Sequence, residues 1–184
     1  MIRNKKDYKE WLKVDAAANG KYRKFRIPWR DIIWKQLKLL RKYEYHLNCY
    51  TDSLFKKFIV AMDKIRYAKL CVLTGISVPP NTFGYGLTIY HTGYCVIHPT
   101  VRGGRYVTLQ MGVNIAEDVV IGDNVYFAPG VKVTKNVHIC ENCIIGYNAV
   151  VTKSLNKTGT YVGIPAKEIS SKGYLNSEGE RRKI

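Results

Sequence analysis

The sequence predicts a mainly β protein, a parallel β-helix of short strands preceded by an α-helical domain. A repeat of period six runs from Ile97 to Asn156. Its first positions are Ile97, Gly103, Leu109, Ile115, Ile121, Phe127, Val133, Ile139, Ile145 and Val151. Its fifth positions are Val101, Val107, Val113, Val119, Val125, Val131, Val137, Cys143, Ala149 and Leu155. Turn formers separate them: Gly122-Asp123-Asn124, Ala128-Pro129-Gly130, Glu141-Asn142 and Gly146-Tyr147-Asn148. Apolar residues at helical spacing are confined to the part before Gly75.

A helix places apolar residues three and four apart, and an ordinary strand alternates in twos. Period six does neither. It suits a strand of about five residues followed by a corner, with first and fifth positions inward. Three such faces close a coil of about eighteen residues, and successive coils stack at about 4.8 Å. A meander of antiparallel hairpins would not hold one phase for so long.

Taken in order, Lys6 to Ala17 forms a short helix stopped by Asn19-Gly20. Lys21 to Pro28 is basic and aromatic and reads as a linker. Asp31 starts a second helix, with Ile33, Leu37, Leu40 and Leu47 near helical spacing, and Asn48 to Thr51 breaks it. Asp52-Ser53 opens a third, whose apolar side carries Leu54, Phe55, Phe58, Ile59, Met62, Ile65 and Leu70. Packing within the protein is the default expectation for both apolar sides. Pro79-Pro80 ends the helical part. Hexads then begin at Phe83–Thr88 and Ile89–Tyr94, and Cys95-Val96 stand outside the lattice before Ile97 restarts it. An insertion must bulge from a corner of a stacked coil, and such loops tend to carry function. His91 lies just before it. After Asn156 the lattice fades, residues 162–167 form a turn, and the tail from Glu168 is polar and expected to be mobile. The expected divisions are 1–74 (basic helical), 75–167 (β-helix) and 168–184 (charged tail).

The chain of 184 residues carries a formal charge of +16, with nineteen Lys/Arg against seven Asp/Glu in residues 1–70 alone. That basic part suits anionic partners: phosphate-bearing small molecules, a membrane surface or nucleic acid. Tyr22, Phe25 and Trp29 interleave with the basic residues as in single-strand binders, but no recognition motif accompanies them and nucleic acid is not expected. No stretch approaches eighteen unbroken apolar residues and no leader is evident, so the expected location is the cytoplasm, with the basic helices suited to the inner face of a membrane. Five cysteines point to free thiols, and Cys143 of Cys140-Glu141-Asn142-Cys143 falls on an inward position, so core thiol is favoured over a metal or redox pair. His98 and His138 lack the spacing of a three-histidine zinc site and read as turn or surface residues; no metal is expected.

The hexads, the segment Gly84-Tyr85-Gly86-Leu87-Thr88-Ile89-Tyr90-His91-Thr92-Gly93 and the closing Val162-Gly163-Ile164-Pro165-Ala166-Lys167 together resemble the hexapeptide-repeat acyltransferases over residues 75–169. The nearest branch is the serine acetyltransferase group with its relatives from surface-polysaccharide clusters, which Arg41-Lys42-Tyr43-Glu44-Tyr45 also resembles. The resemblance implies a left-handed β-helix, although the usual crossover rule favours the other hand. It also implies a homotrimer with acetyl-CoA in the cleft between subunits.

His91 matches the family's catalytic histidine. An alcohol is a poor nucleophile near neutral pH until a base takes its proton, and neutral imidazole can do so. Thr152, Lys153 and Lys167 match cofactor-binding positions, and Tyr147 stands where many members carry Ala facing the cofactor. The lysines suit the nucleotide phosphates as point charges. Serine-acetylating members carry Asp where this chain has Tyr90, a second Asp where it has Ile76, and a Gly-rich loop where Gly112 to Glu117 runs straight through. Tyr90 and Glu44 are therefore candidate substrate-binding residues.

The expected function is O-acetyl transfer from acetyl-CoA to a hydroxyl of a sugar or sugar precursor for surface polysaccharide, with a small-molecule or lipid-linked sugar as the acceptor. Serine O-acetylation for cysteine biosynthesis is the alternative, and a non-catalytic trimeric scaffold the remote one.

Overall fold

The computed structural model describes residues 1–20, 31–50, 52–175 and 178–181. The expected linker, with Tyr22, Phe25 and Trp29, lies outside the described residues.

From Ile76 onward the chain winds as a parallel β-helix with three faces. The first face stacks Ile76–Ser77, Cys95–Ile97, Asn114–Ile115, Lys132–Val133 and Val150–Val151. The second stacks Arg102–Gly103, Val120–Ile121 and His138–Ile139. The third stacks Thr88–Ile89, Thr108–Leu109, Tyr126–Phe127, Ile144–Ile145, Thr160–Val162 and Lys167–Ser170. Pairing advances by eighteen residues per coil, as in Asn114 to Lys132 to Val150 and Thr108 to Tyr126 to Ile144. That spacing is the three hexads of the repeat.

The core follows the repeat residue by residue. Every fifth position from Val101 to Leu155 is buried, and so is every first position except Gly103. Burying each Val, Ile or Leu is worth about 1.5–3 kcal/mol. Gly103 breaks the apolar pattern because Phe83, one coil earlier, occupies the space: a Cβ at Gly103 would lie 2.1 Å from the Phe83 ring.

The insertion falls a few residues earlier than the sequence suggests. Thr88 and Ile89 pair with Thr108 and Leu109, twenty positions on, whereas Val96 pairs with Asn114, eighteen on. The two extra residues therefore lie between Ile89 and Val96. Cys95 is not expelled; it is buried and pairs with Ile76. The bulge is at Tyr90 to Tyr94 and includes His91.

Three helices precede the coils: α1 (Lys5–Ala18), α2 (Ile32–Cys49) and α3 (Leu54–Thr74). Asn4 caps α1 by accepting from the backbone N–H groups of Lys6 and Asp7 at 2.9 Å each. Asp31 occupies the N-cap of α2, but its side chain makes no capping hydrogen bond. Gly75, at φ +74°, closes α3 in the left-handed conformation.

Leu37 and Leu40 of α2 join the coil core. The expected packing of α3's apolar side occurs only in part, with Ile59, Met62 and Leu70 half-buried. Leu54, Phe55, Phe58 and Ile65 face solvent, while Asp63, Tyr67 and Thr74 are buried.

The polar burial has a physical reason. The first coil has no coil beneath it, so its backbone groups need other partners. The helices supply them. Gln36 donates to Ile76 O at 2.8 Å and Tyr67 to Val78 O at 2.6 Å. Arg41 donates to Phe83 O and Gly84 O, and Asp15 accepts from Gly86 N–H. Asn19 donates to Leu87 O and accepts from Ile89 N–H.

The other end is closed as well, against the expected mobile tail. Thr160–Val162 pairs antiparallel with Lys167–Ser170, a strand that runs across the boundary expected after residue 167. Tyr174 is buried 5.3 Å from the Tyr126 ring.

Candidate functional site

The corner between the third and first faces carries the candidate site. Each coil turns there on a positive-φ residue: Gly93, Gly112, Gly130, Asn148 and Gly163. The corner is stitched by Gly130 N–H to Met111 O and Asn148 N–H to Pro129 O. At Gly130 the approach is so close that a Cβ would meet the Asn148 side-chain oxygen at 1.9 Å. This column leads from His91 past Met111 and Pro129 to Tyr147 and the closing Gly163-Ile164-Pro165. At about 4.8 Å per coil, His91 and Tyr147 stand three coils, roughly 14 Å, apart along it.

His91 is solvent-exposed, in the two-residue bulge. The backbone beneath it is held by the helical cap, for Gly86, Leu87 and Ile89 all bond to Asp15 or Asn19 of the α1 end. On its far side, Gly93 N–H donates to Thr74 O and Cys95 N–H to Gly75 O. The exposed imidazole thus rides on a backbone fixed at both ends. It opens on a cavity of about 370 Å³ lined by Asp31, Ile32, Ile33, Ile89, Tyr90, His91 and Thr92. The first turn of α2 forms one wall, and its leading N–H groups have no intrahelical acceptors. Asp31, which sequence reasoning took only as a helix start, is the carboxylate of this cavity; nothing in the sequence pattern points from residue 31 to residue 91.

Glu44 stands elsewhere. It is buried, its Oε2 accepts from Arg41 at 2.9 Å and its Oε1 from Asn81 N–H at 2.8 Å. Arg41 also reaches Asp15 at 2.7 Å. Burial works to lower the Arg41 pKa but is outweighed by Glu44 and Asp15, so the guanidinium is held above its usual range. With both oxygens committed, Glu44 belongs to the cap and does not line the His91 cavity.

Tyr90 is half-exposed beside His91. Burial raises its hydroxyl pKa, Tyr174 adds to that and Arg181 opposes it. Tyr126 is raised too, by burial first, with Tyr147, Tyr174 and Tyr90 contributing, while Gln110 donates to its hydroxyl at 3.2 Å. The Tyr126 and Tyr174 rings stand 5.3 Å apart over the third face. Arg181 lies over the Tyr106 and Tyr174 rings, its guanidinium 5.1 and 5.8 Å from their centroids. Sequence reasoning missed Tyr126, Tyr174 and Arg181, because the last two lie in the segment read as a polar tail.

Of the expected cofactor residues, Tyr147 and Lys167 are exposed near one end of the corner column, where Ala166 N–H bonds to Val150 O. Thr152 and Lys153 are exposed at the opposite end of the strand Val150–Val151, across the first face from Tyr147. One protomer does not bring those two together with His91. The first face between the two edges carries a shallow concavity of about 790 Å³, lined in part by Tyr94, His98, Asn114, Lys132 and Thr134. Asn114 donates to the Tyr94 hydroxyl, and its own Oδ1 is buried without a partner.

His98 bonds to Thr100 in its own turn. Cys140 and Cys143 are free thiols, their sulfurs 3.5 Å apart, and burial pushes the Cys143 thiol up to about 12. Among the described residues, no three His, Cys, Asp or Glu side chains are grouped to hold a metal ion, and no helix is long and apolar enough to cross a membrane.

The bacterial transferase hexapeptide (six repeats) family matches residues 104–135. A serine acetyltransferase from Staphylococcus xylosus is 34% identical over 130 residues, 66% of this chain and 60% of that protein. One from Staphylococcus aureus is 34% identical over 127 residues, 64% of this chain and 59% of that protein. The chain thus spans about three fifths of the length of these relatives. Among solved structures, a serine acetyltransferase in complex with CoA superposes with a TM-score of 0.70 at 17% identity, covering 90% of this chain and 71% of that one. The Neisseria gonorrhoeae serine acetyltransferase gives a TM-score of 0.69 at 20% identity, covering 91% and 70%. The chain is thus similar to serine acetyltransferases over part of its sequence and shares their fold, with the hexapeptide repeat matched in the middle of its coils.

Proposed function

We propose that this chain is an acetyl-CoA-dependent O-acetyltransferase with His91 as its general base. The observation that carries the reading is the position of His91: an exposed imidazole on a clamped bulge, opening on a cavity at the end of the corner column. The imidazole takes the proton of the acceptor hydroxyl as its oxygen attacks the thioester carbonyl carbon. The tetrahedral oxyanion needs donors, and the leading N–H groups of α2, which have no intrahelical acceptors, border the same cavity. The C–S bond then breaks, the imidazolium returns its proton to the departing thiolate, and the products are an acetyl ester and free coenzyme A. Asp31 is proposed as a positioning residue that supports the imidazolium.

The solved relative bound to CoA supports acetyl-CoA as the donor. Tyr147 and Lys167 suit one side of its site, and Thr152 and Lys153 suit the other. Because those pairs occupy opposite edges of the first face, a shared site requires two protomers side by side, as in a homotrimer. The unpartnered Asn114 oxygen on that face favours such coverage.

The relatives named serine acetyltransferase favour serine as the acceptor over the sugar that the sequence first suggested. A sugar hydroxyl remains the second reading on one observation: the coil passes through Gly112 to Glu117 in regular register, with no loop between Asn114–Ile115 and Val120–Ile121. Release of free thiol from acetyl-CoA, measured with serine, simple sugars and nucleotide sugars as separate acceptors, decides between them. His91→Ala should lower turnover with the true acceptor by about 10²–10⁴-fold with the circular dichroism spectrum unchanged. Near-normal turnover in that variant would remove His91 from the mechanism.

A further inference from the structure

The exposed side of α3 is the feature the catalytic reading leaves unused. Leu54 is 85% exposed, Phe55 71%, Phe58 61%, Val72 87% and Leu73 69%. At 100° per residue, Leu54, Phe58, Ile65 and Val72 fall within one 40° sector, and Phe55, Met62 and Leu73 adjoin it, with Lys69 between them. The stripe runs the length of a 21-residue helix. Monomeric proteins rarely leave a contiguous apolar face of this kind in water.

Its surroundings are basic. Lys57 and Lys64 lie along one border of the stripe and Arg66 along the other, all exposed. Beyond Arg66 a groove of about 540 Å³ opens, walled by Lys35, Lys38 and Lys42 of α2 with Arg66 and Lys69, and floored by Leu39 and Leu70. The acids of this region do little to balance them. Glu44 is bound to Arg41 inside the cap, Asp63 is buried against His46 at 2.6 Å and reaches Lys42 and Arg66 only at 3.8 and 3.9 Å, and Asp52 is paired with Lys56.

Charge decides the occupant. A second copy of the same face would set Lys and Arg against Lys and Arg around an apolar centre, which opposes self-association. An anionic bilayer matches both features, since apolar side chains enter the headgroup boundary while lysines and arginines meet lipid phosphates. We propose that the α3 face, with the adjoining basic groove, docks this protein peripherally on a membrane rich in anionic phospholipid. Docking does not rest on the catalytic reading.

Co-sedimentation of the full chain with vesicles tests it, using phosphatidylglycerol-containing vesicles against pure phosphatidylcholine. The expected result is binding at least tenfold tighter to the anionic vesicles and weakened by salt. Phe58→Asp with Ile65→Asp should lower that binding at least tenfold, and so should Lys57→Glu with Lys64→Glu. Both pairs are exposed, so circular dichroism and thermal midpoint should stay at the wild-type values. Absence of binding to anionic vesicles at low salt would overturn the proposal. So would equal binding to both vesicle types, or anionic binding indifferent to Phe58→Asp with Ile65→Asp. If vesicles are not bound and these substitutions instead reduce the assembly size in solution, the face is an interface between copies and the membrane is excluded.

Discussion

The β-helix and its helical cap bury their interiors by opposite means. Inside the coils, a repeated apolar pair per hexad fills the prism, and the backbone satisfies itself through coil-to-coil pairing. Inside the cap, Asp15, Gln36, Arg41, Glu44 and Asp63 are all buried, and their polar atoms serve one another, His46, Thr74 or the otherwise unmatched backbone of the first coil. A solenoid hides its polar backbone everywhere except at its ends, so the end is where buried polar side chains are needed. Replacing side chains in each region separates the two modes.

The largest effect is expected at Arg41. Arg41→Ala leaves Asp15 and Glu44 as buried carboxylates without their cation and removes the donors to Phe83 O and Gly84 O. Breaking a buried pair from one side costs about 3–5 kcal/mol, and here two acids lose their partner. Chemical denaturation should therefore show a loss at the top of that range, together with faster amide exchange at Gly84 to Ile89. A loss under about 1 kcal/mol would mean that the cap is held by its apolar contacts alone.

Phe127→Ala probes the other mode. Phe127 is fully buried on an inward first position, and its removal leaves a cavity in a stacked prism that has little room to collapse, at a cost of about 3–5 kcal/mol. The loss should appear without any change in exchange at the cap. Equal disturbance of both regions would show that coil and cap unfold as one unit.

A smaller effect lies at the surface of the coils. Arg105 holds Asp123 of the next coil through its Nη2 at 2.5 Å, and Asp123 also accepts from the Arg105 backbone N–H. Burial would raise the Asp123 carboxyl, but these bonds outweigh it and hold the pKa below the usual carboxylate range. Stability from this pair is therefore present above the unfolded carboxylate value, about 4, and is lost as pH falls through the lower folded value. Asp123→Asn should lower the thermal midpoint slightly at pH 7, by less than Phe127→Ala does, and the difference from wild type should close in acid.

The same contrast explains what could be read from the sequence. The lattice was legible because one geometric demand recurs every six residues, so that even Cys143 and Ala149 were correctly assigned inward. The phase of the lattice also located the bulge to within a few residues, and with it His91. The cap was not legible. Arg41 with Asp15, or Asn19 with Leu87, joins positions that no period relates, and each looks in sequence like an ordinary solvated polar residue. Tyr174 and Arg181 were hidden for the same reason, as single residues in a polar tail that return to the third face. Asp31 enters the His91 cavity only because α2 begins there.

The helical periodicity of α3 was read correctly and its direction only in part, and this yields the smallest expected effect. Helical spacing shows that Leu54, Phe55, Phe58 and Ile65 share a side, but it does not say which side meets the coils. In this chain the cap needs polar groups inward, so Asp63, Tyr67 and Thr74 take the buried face and the apolar residues turn outward. Phe55→Ala should then change the folding stability of the isolated protein by no more than about 0.5 kcal/mol, as at other surface positions. Phe127→Ala is the matched control, removing the same ring from the prism. If Phe55→Ala instead costs as much as its buried counterpart, the ring is covered in solution, and the concentration dependence of the loss would tell whether a second copy of the chain covers it.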